Sequence, residues 1–419
     1  MSMCFSARLA PTLALACAGL LLGPVQSARA MRVVDGVDLG LQLRTRLNRN
    51  DGRDGSNAGD AALYFDNVAR LSLRLTHASG LAAFAQVQDV RVWGEEADTL
   101  TDYSADGFDL HQAYGDLPLM KDQLVLRVGR QEIRILEERL VGAVAWTPQA
   151  RSFDAVRLRW TPRSLRVEGD LFFAQVRDTE SVAPGPETNP NDDNVLFLGA
   201  VSTVRLVEGA ETSNALSVQA FYDRSRADER DRVTVGLYDR GAAGVFRYRL
   251  EGYFQGGSLA GGSIAAWMLG LEAGVLLERA RNLQFVLWGD YLSGTGSPAD
   301  AARKSFDTLF ATNHAFYGYA DFFINVPART GGRGLVDIAL KASLDPCPKL
   351  KLALHLHQFL AANDQGGDAD LGREVDLTAS FRPWEPAELF FGLFTMLPGD
   401  GLGGGDPDVG VYTWVKVEF

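Results

Sequence analysis

Val37-Asp38-Leu39-Gly40-Leu41-Gln42-Leu43-Arg44-Thr45-Arg46-Leu47 places apolar side chains mostly at odd positions and polar ones mostly at even positions. A β-strand sends successive side chains to opposite faces, so this segment carries one apolar and one polar face. The pattern recurs along the chain. It is found in Leu71/Leu73/Leu75 against Arg70/Ser72/Arg74, in Leu124/Leu126/Val128, and in Val156/Leu158/Trp160. It returns in Phe246/Tyr248/Leu250 against Arg247/Arg249/Glu251, in Val336/Ile338/Leu340 against Asp337/Lys341, and in Leu350/Leu352/Leu354/Leu356 against Lys351/His355/His357. The reading is all-β.

Connection lengths separate a membrane barrel from a soluble sandwich. Short turns, such as Thr161-Pro162-Arg163-Ser164 and Asp345-Pro346-Cys347-Pro348, alternate with long polar loops at 48–60, 94–107, 179–194, 361–372 and 398–408. Outer-membrane barrels have short periplasmic turns and long external loops. Parity requires 293–334 to be one long external segment and not to contain a strand at 314–325. The expectation is then a single antiparallel transmembrane barrel of about eighteen strands with both termini periplasmic.

The ends agree. Arg8, the apolar run 9–23 and Ser27-Ala28-Arg29-Ala30 read as a secretory signal peptide over 1–30, cleaved near Ala30, leaving 31–419 as the barrel. Past residue 30 no apolar run reaches the roughly 18 residues of a spanning helix. Val409, Val411, Thr413, Val415, Val417 and Phe419 share one face, and the chain stops on an aromatic. That resembles the closing strand of outer-membrane proteins, in which the barrel-assembly machinery reads a terminal Phe. The expected location is the bacterial outer membrane, among its lipid and lipopolysaccharide.

Composition narrows the function. With 46% hydrophobic residues the chain is not disordered, and 41 Lys and Arg against 53 Asp and Glu argue against a nucleic-acid partner. Cys4 and Cys17 leave with the leader, so Cys347 has no partner for an internal disulfide. No cofactor or metal is expected. His355 and His357 share an inner face but lack a third ligand in the sequence, and no G-x-S-x-G or H-E-x-x-H occurs.

With apolar side chains facing lipid, the polar face must line the lumen. This projection puts Arg44, Arg46, Arg70, Arg74, Arg127, Arg157, Arg159, Arg166, Arg247, Arg249 and Lys341 inside, with Glu168, Asp170, Glu251 and Glu272 as partners. Such arginines can brace the wall through carboxylate pairs or form a cationic track for anionic solutes. Their concentration in the early strands favours the track. The acids Asp51, Asp54, Asp60, Glu95, Glu96, Asp98, Asp102 and Asp106 instead crowd the first two external loops.

Two segments resemble the alginate export family of outer-membrane porins. One runs Val128-Gly129-Arg130-Gln131-Glu132, Glu138-Arg139-Leu140-Val141-Gly142, Trp146 and Arg151 to Leu158. The other is Phe306-Asp307-Thr308-Leu309-Phe310-Ala311-Thr312-Asn313-His314 with Phe316-Tyr317-Gly318-Tyr319-Ala320-Asp321. The resemblance implies an eighteen-stranded barrel with an electropositive pore for an anionic polysaccharide. Arg130 and Arg139 then join the expected track. It also implies loops that fold inward, here 132–152 and 306–321, the second carrying His314, Tyr317 and Asp321 as gating residues. The expected activity is passive, selective transport of an anionic solute such as a uronate-type saccharide. The alternatives are a hydrolase barrel and a non-conducting structural barrel.

Overall fold

The computed structural model describes residues 31–50, 62–94, 108–120, 123–162, 165–177, 194–209, 211–297 and 299–419. The expected leader and the acidic clusters expected in the first two external loops lie outside them. The sheet has 20 strands. Met31–Val34 and Ala302–Arg303 are minor additions to it, and the other 18 form a closed antiparallel barrel.

Consecutive strands pair as antiparallel neighbours from Val37–Asn50 to Asp408–Glu418. The ring closes where the first strand pairs with the last, from Gln42↔Glu418 to Arg49↔Val411. The main chain of Phe419 exchanges hydrogen bonds with Leu41: its N–H donates at 2.8 Å, and its carbonyl accepts at 3.1 Å. Closure removes the open edges that a lipid interior could not satisfy.

Residues 293–334 form one long connection between the strands Leu283–Leu292 and Leu335–Cys347. The region around His314 is a short 3-10 turn, Asn313–Ala315, and not a strand. The end of the barrel that carries the termini has mostly tight turns. One is 244–245, which joins Arg230–Ala243 to Phe246–Leu259. The opposite end carries the long connections.

The outer face is apolar, with Leu71, Leu73, Leu171, Leu237, Leu250, Leu269, Phe285, Leu340 and Leu377 all exposed. So wide an apolar surface would aggregate in water and is matched by lipid. Exposed aromatics mark both ends, with Trp160, Phe246, Trp384 and Phe419 at the termini and Phe65, Trp93 and Phe108 opposite. No helix among the described residues is long and apolar enough to cross a membrane, and the crossing elements are strands.

Candidate functional site

The lumen is built from the polar parity of the strands and from two inward-folded loops. Ile133, Leu140 and Val141 of the first loop are buried, as are Phe306, Phe316, Tyr317 and Phe323 of the second. The loops meet through a parallel bridge between Val141 and Phe310. Phe310 N–H donates to Leu140 O at 2.9 Å and Gly142 N–H to Phe310 O at 2.8 Å. Apolar side chains unsuited to an external loop are thus buried against one another.

The early-strand arginines hold the first loop. Arg44 donates to Ala145 O at 3.1 Å, Arg46 to Trp146 O at 2.9 Å, and Arg70 to Pro148 O at 3.3 Å. Gln88 extends the row by donating to Gln149 O at 3.1 Å. Behind it, buried Asp66 accepts from Arg46 Nε at 2.8 Å and from Asn48 at 2.7 Å.

Nearer the termini two acids hold the guanidinium groups. Arg74 and Arg127 both pair with Asp116, at 3.2 and 2.6 Å, and Arg157 pairs with Asp170. Arg159 Nε is buried and has no hydrogen-bond partner among the described residues. Two basic residues sit at the rim. Arg247 donates to Phe246 O at 2.9 Å, and Arg166 lies 3.6 Å from Glu208.

Three expected track residues are placed differently. Arg130 shares parity with the exposed Val128 and pairs at 3.2 Å with Asp154, its register partner on the neighbouring strand, so it lies on the outer face. The strand alternation that turns Arg127 inward turns Arg130 outward. Arg139 is inside but sealed in the loop, paired with Asp290 and, at 3.0 Å, with Glu251. Arg249 is sealed beside it against Glu251, with Glu272 at 3.5 Å. An unpaired buried charge is costly, and acids of Phe246–Leu259 and Leu283–Leu292 hold both arginines. Lys341 rests its ammonium over Trp288, 3.9 Å from the ring centroid.

The second loop packs through His314, Tyr317 and Asp321. His314 Nδ1 lies 2.6 Å from Asp321, whose other oxygen accepts from Trp146 Nε1 at 3.1 Å. Tyr317 is buried, and burial pushes its hydroxyl pKa well up. Ala320 N–H donates to Glu374 Oε1 at 2.7 Å. In the first loop, burial alone would raise the Glu132 carboxyl. The hydrogen bond with His111 and the Arg134 guanidinium bring it down to about 2.

The sequence does not single out Asp66, Asp116, Asp290 or Glu374. Shared inward parity with neighbouring arginines is the available signal for the first three. Nothing local marks Glu374, whose partner is a loop main chain far along the chain.

Residues 35–416 match the family model described as alginate export. Solved barrels are also similar. Pseudomonas aeruginosa OpdL has a TM-score of 0.64 at 15% identity, covering 92% of this chain and 99% of that one. Acinetobacter baumannii OccAB4 has a TM-score of 0.63 at 12% identity, covering 91% of this chain and 98% of that one. No curated protein matches.

Proposed function

The chain belongs to the alginate export family, and from that premise we propose that this outer-membrane channel passes an anionic, uronate-type saccharide along its guanidinium row. The row is Arg44, Arg46, Arg70, Arg74, Arg127, Arg157 and Arg159. One observation carries the reading: Arg44, Arg70 and the one guanidinium nitrogen of Arg46 that does not face Asp66 are occupied by main-chain carbonyls of the first loop. A neutral carbonyl is a weak substitute for a carboxylate, whose charge-assisted bonds to arginine are roughly twice as strong. A uronate can therefore compete with the loop for the same donors and then be released.

The termini are assigned to the periplasm, with Phe419 as the mark read during assembly. Fold and family are those of transport barrels. A second reading, a barrel shut at rest, is favoured by the Val141–Phe310 bridge that links the loops.

Reversal potentials in planar bilayers test the proposal. Anion preference is expected, and Arg74→Gln with Arg159→Gln is expected to reduce it several-fold. A cation-preferring pore unchanged by both substitutions overturns the anionic track. Absence of any conductance in the wild type, with swelling restored when the loops are displaced, supports the shut barrel.

A further inference from the structure

Two histidines that the sequence left without a third ligand acquire one in the fold. His355 and Asp376 are register partners on adjacent strands, and His357 follows His355 on the same inner face. One ligand atom from each of His355, His357 and Asp376 lies within 4.8 Å of the other two. Ligands about 2.0–2.2 Å from a shared ion stand at most roughly 4.4 Å apart, so a small side-chain rotation completes the geometry.

The buried polar atoms point the same way. The His357 side chain is 0% exposed, and its Nδ1 is held by Asp337 at 2.9 Å. Its Nε2 has no hydrogen-bond partner among the described residues, and the Asp376 carboxylate lies beside the Glu374 side chain and the Tyr319 main chain. A histidine whose one nitrogen is fixed by a carboxylate while the other is left open is the arrangement found around metal-binding imidazoles. Glu374 and Asp376 are both buried, with no arginine or lysine paired to either among the described residues. Lys341 is opposite His355 in register, but its ammonium is turned over Trp288.

We propose that His355, His357 and Asp376 bind a divalent transition-metal ion of the zinc class, with Asp337 as the residue that orients His357. Imidazole and carboxylate ligands suit that class better than calcium or magnesium. The ion clamps two neighbouring strands, and it neutralises the acids on which the second loop rests through Ala320. Its binding does not depend on what the channel carries.

The test uses the full detergent-solubilised barrel, stripped with a chelator and titrated with Co2+. One equivalent is expected to bind with the visible ligand-field bands of imidazole-bound Co2+, which Zn2+ displaces. His357→Ala or Asp376→Asn is expected to abolish the bands, and Asp337→Asn to weaken binding about 10–100-fold. His77→Ala, at an exposed position beside a turn, is expected to leave them unchanged. Heat-modifiable gel mobility verifies that each variant is folded. Wild-type barrel that takes up no Co2+, or uptake that persists with both His357→Ala and Asp376→Asn in place, overturns the site.

Discussion

The indole of Trp146 stacks on the imidazole of His314, with ring centroids 3.6 Å apart and planes inclined by 15°. The two residues belong to different loops, so this pair joins the halves of the lumenal plug. Arg46, on the wall, lies 4.9 Å from the same indole. Trp146 therefore links both loops to the first strand.

Trp146→Ala removes the stack and the hydrogen bond to Asp321, at a cost of at most about 3–5 kcal/mol. The loops are expected to spend more time undocked, which raises single-channel open probability while the barrel keeps its gel mobility. Unaltered channel records would show that Trp146 does not latch the plug.

Gly318 has φ +85°, and a Cβ there would collide with the carboxylate of Glu374. Gly318→Ala combines left-handed strain of about 1–3 kcal/mol with a clash against the loop's own anchor. Faster hydrogen exchange is expected across 306–321. Gly331→Ala, where φ is +59° and a Cβ meets nothing within 4 Å, carries only the backbone cost. Equal exchange in the two variants would refute the close-approach argument.

Asp66 is 0% exposed and sits among Arg44, Arg46 and Asn48. Asp66→Ala leaves buried guanidinium charge without its acid, a loss of about 3–5 kcal/mol. Urea unfolding in lipid vesicles should register it, and Asp66→Asn should lose less because it retains a carbonyl acceptor. An Asp66→Ala barrel as stable as wild type would mean that the guanidinium groups find other partners.

Glu132 titrates at about 2 in the folded chain, against an ordinary 4.5. A depressed carboxyl stabilises the docked loop fully above pH 4.5, and that contribution fades as pH falls toward 2. Loop protection factors, which divide out the slowing of intrinsic amide exchange in acid, should fall from about pH 5 downward across this window. Glu132→Gln should remove that component of the pH dependence, and an identical profile in the variant would exclude Glu132 as its source.

The barrel wall is legible in the chain's alternation. A two-residue period separates Leu39, Leu41 and Leu43 from Gln42 and Arg44 wherever the chain is extended, because strand geometry is local. Residues 132–152 and 306–321 are likewise marked as too apolar for water, and both lie inside. Arg130 departs from expectation because its strand parity, shared with the exposed Val128, turns it outward. The partner of each inward side chain follows from closure of the ring instead. The carbonyl that Arg44 holds is 101 residues away, and the one that Arg46 holds is 100 away. His355 finds Asp376 only through the register of two strands. Periodicity specifies which face a residue takes, whereas a hydrogen bond or a ligand set depends on which strands and loops the closed barrel brings together.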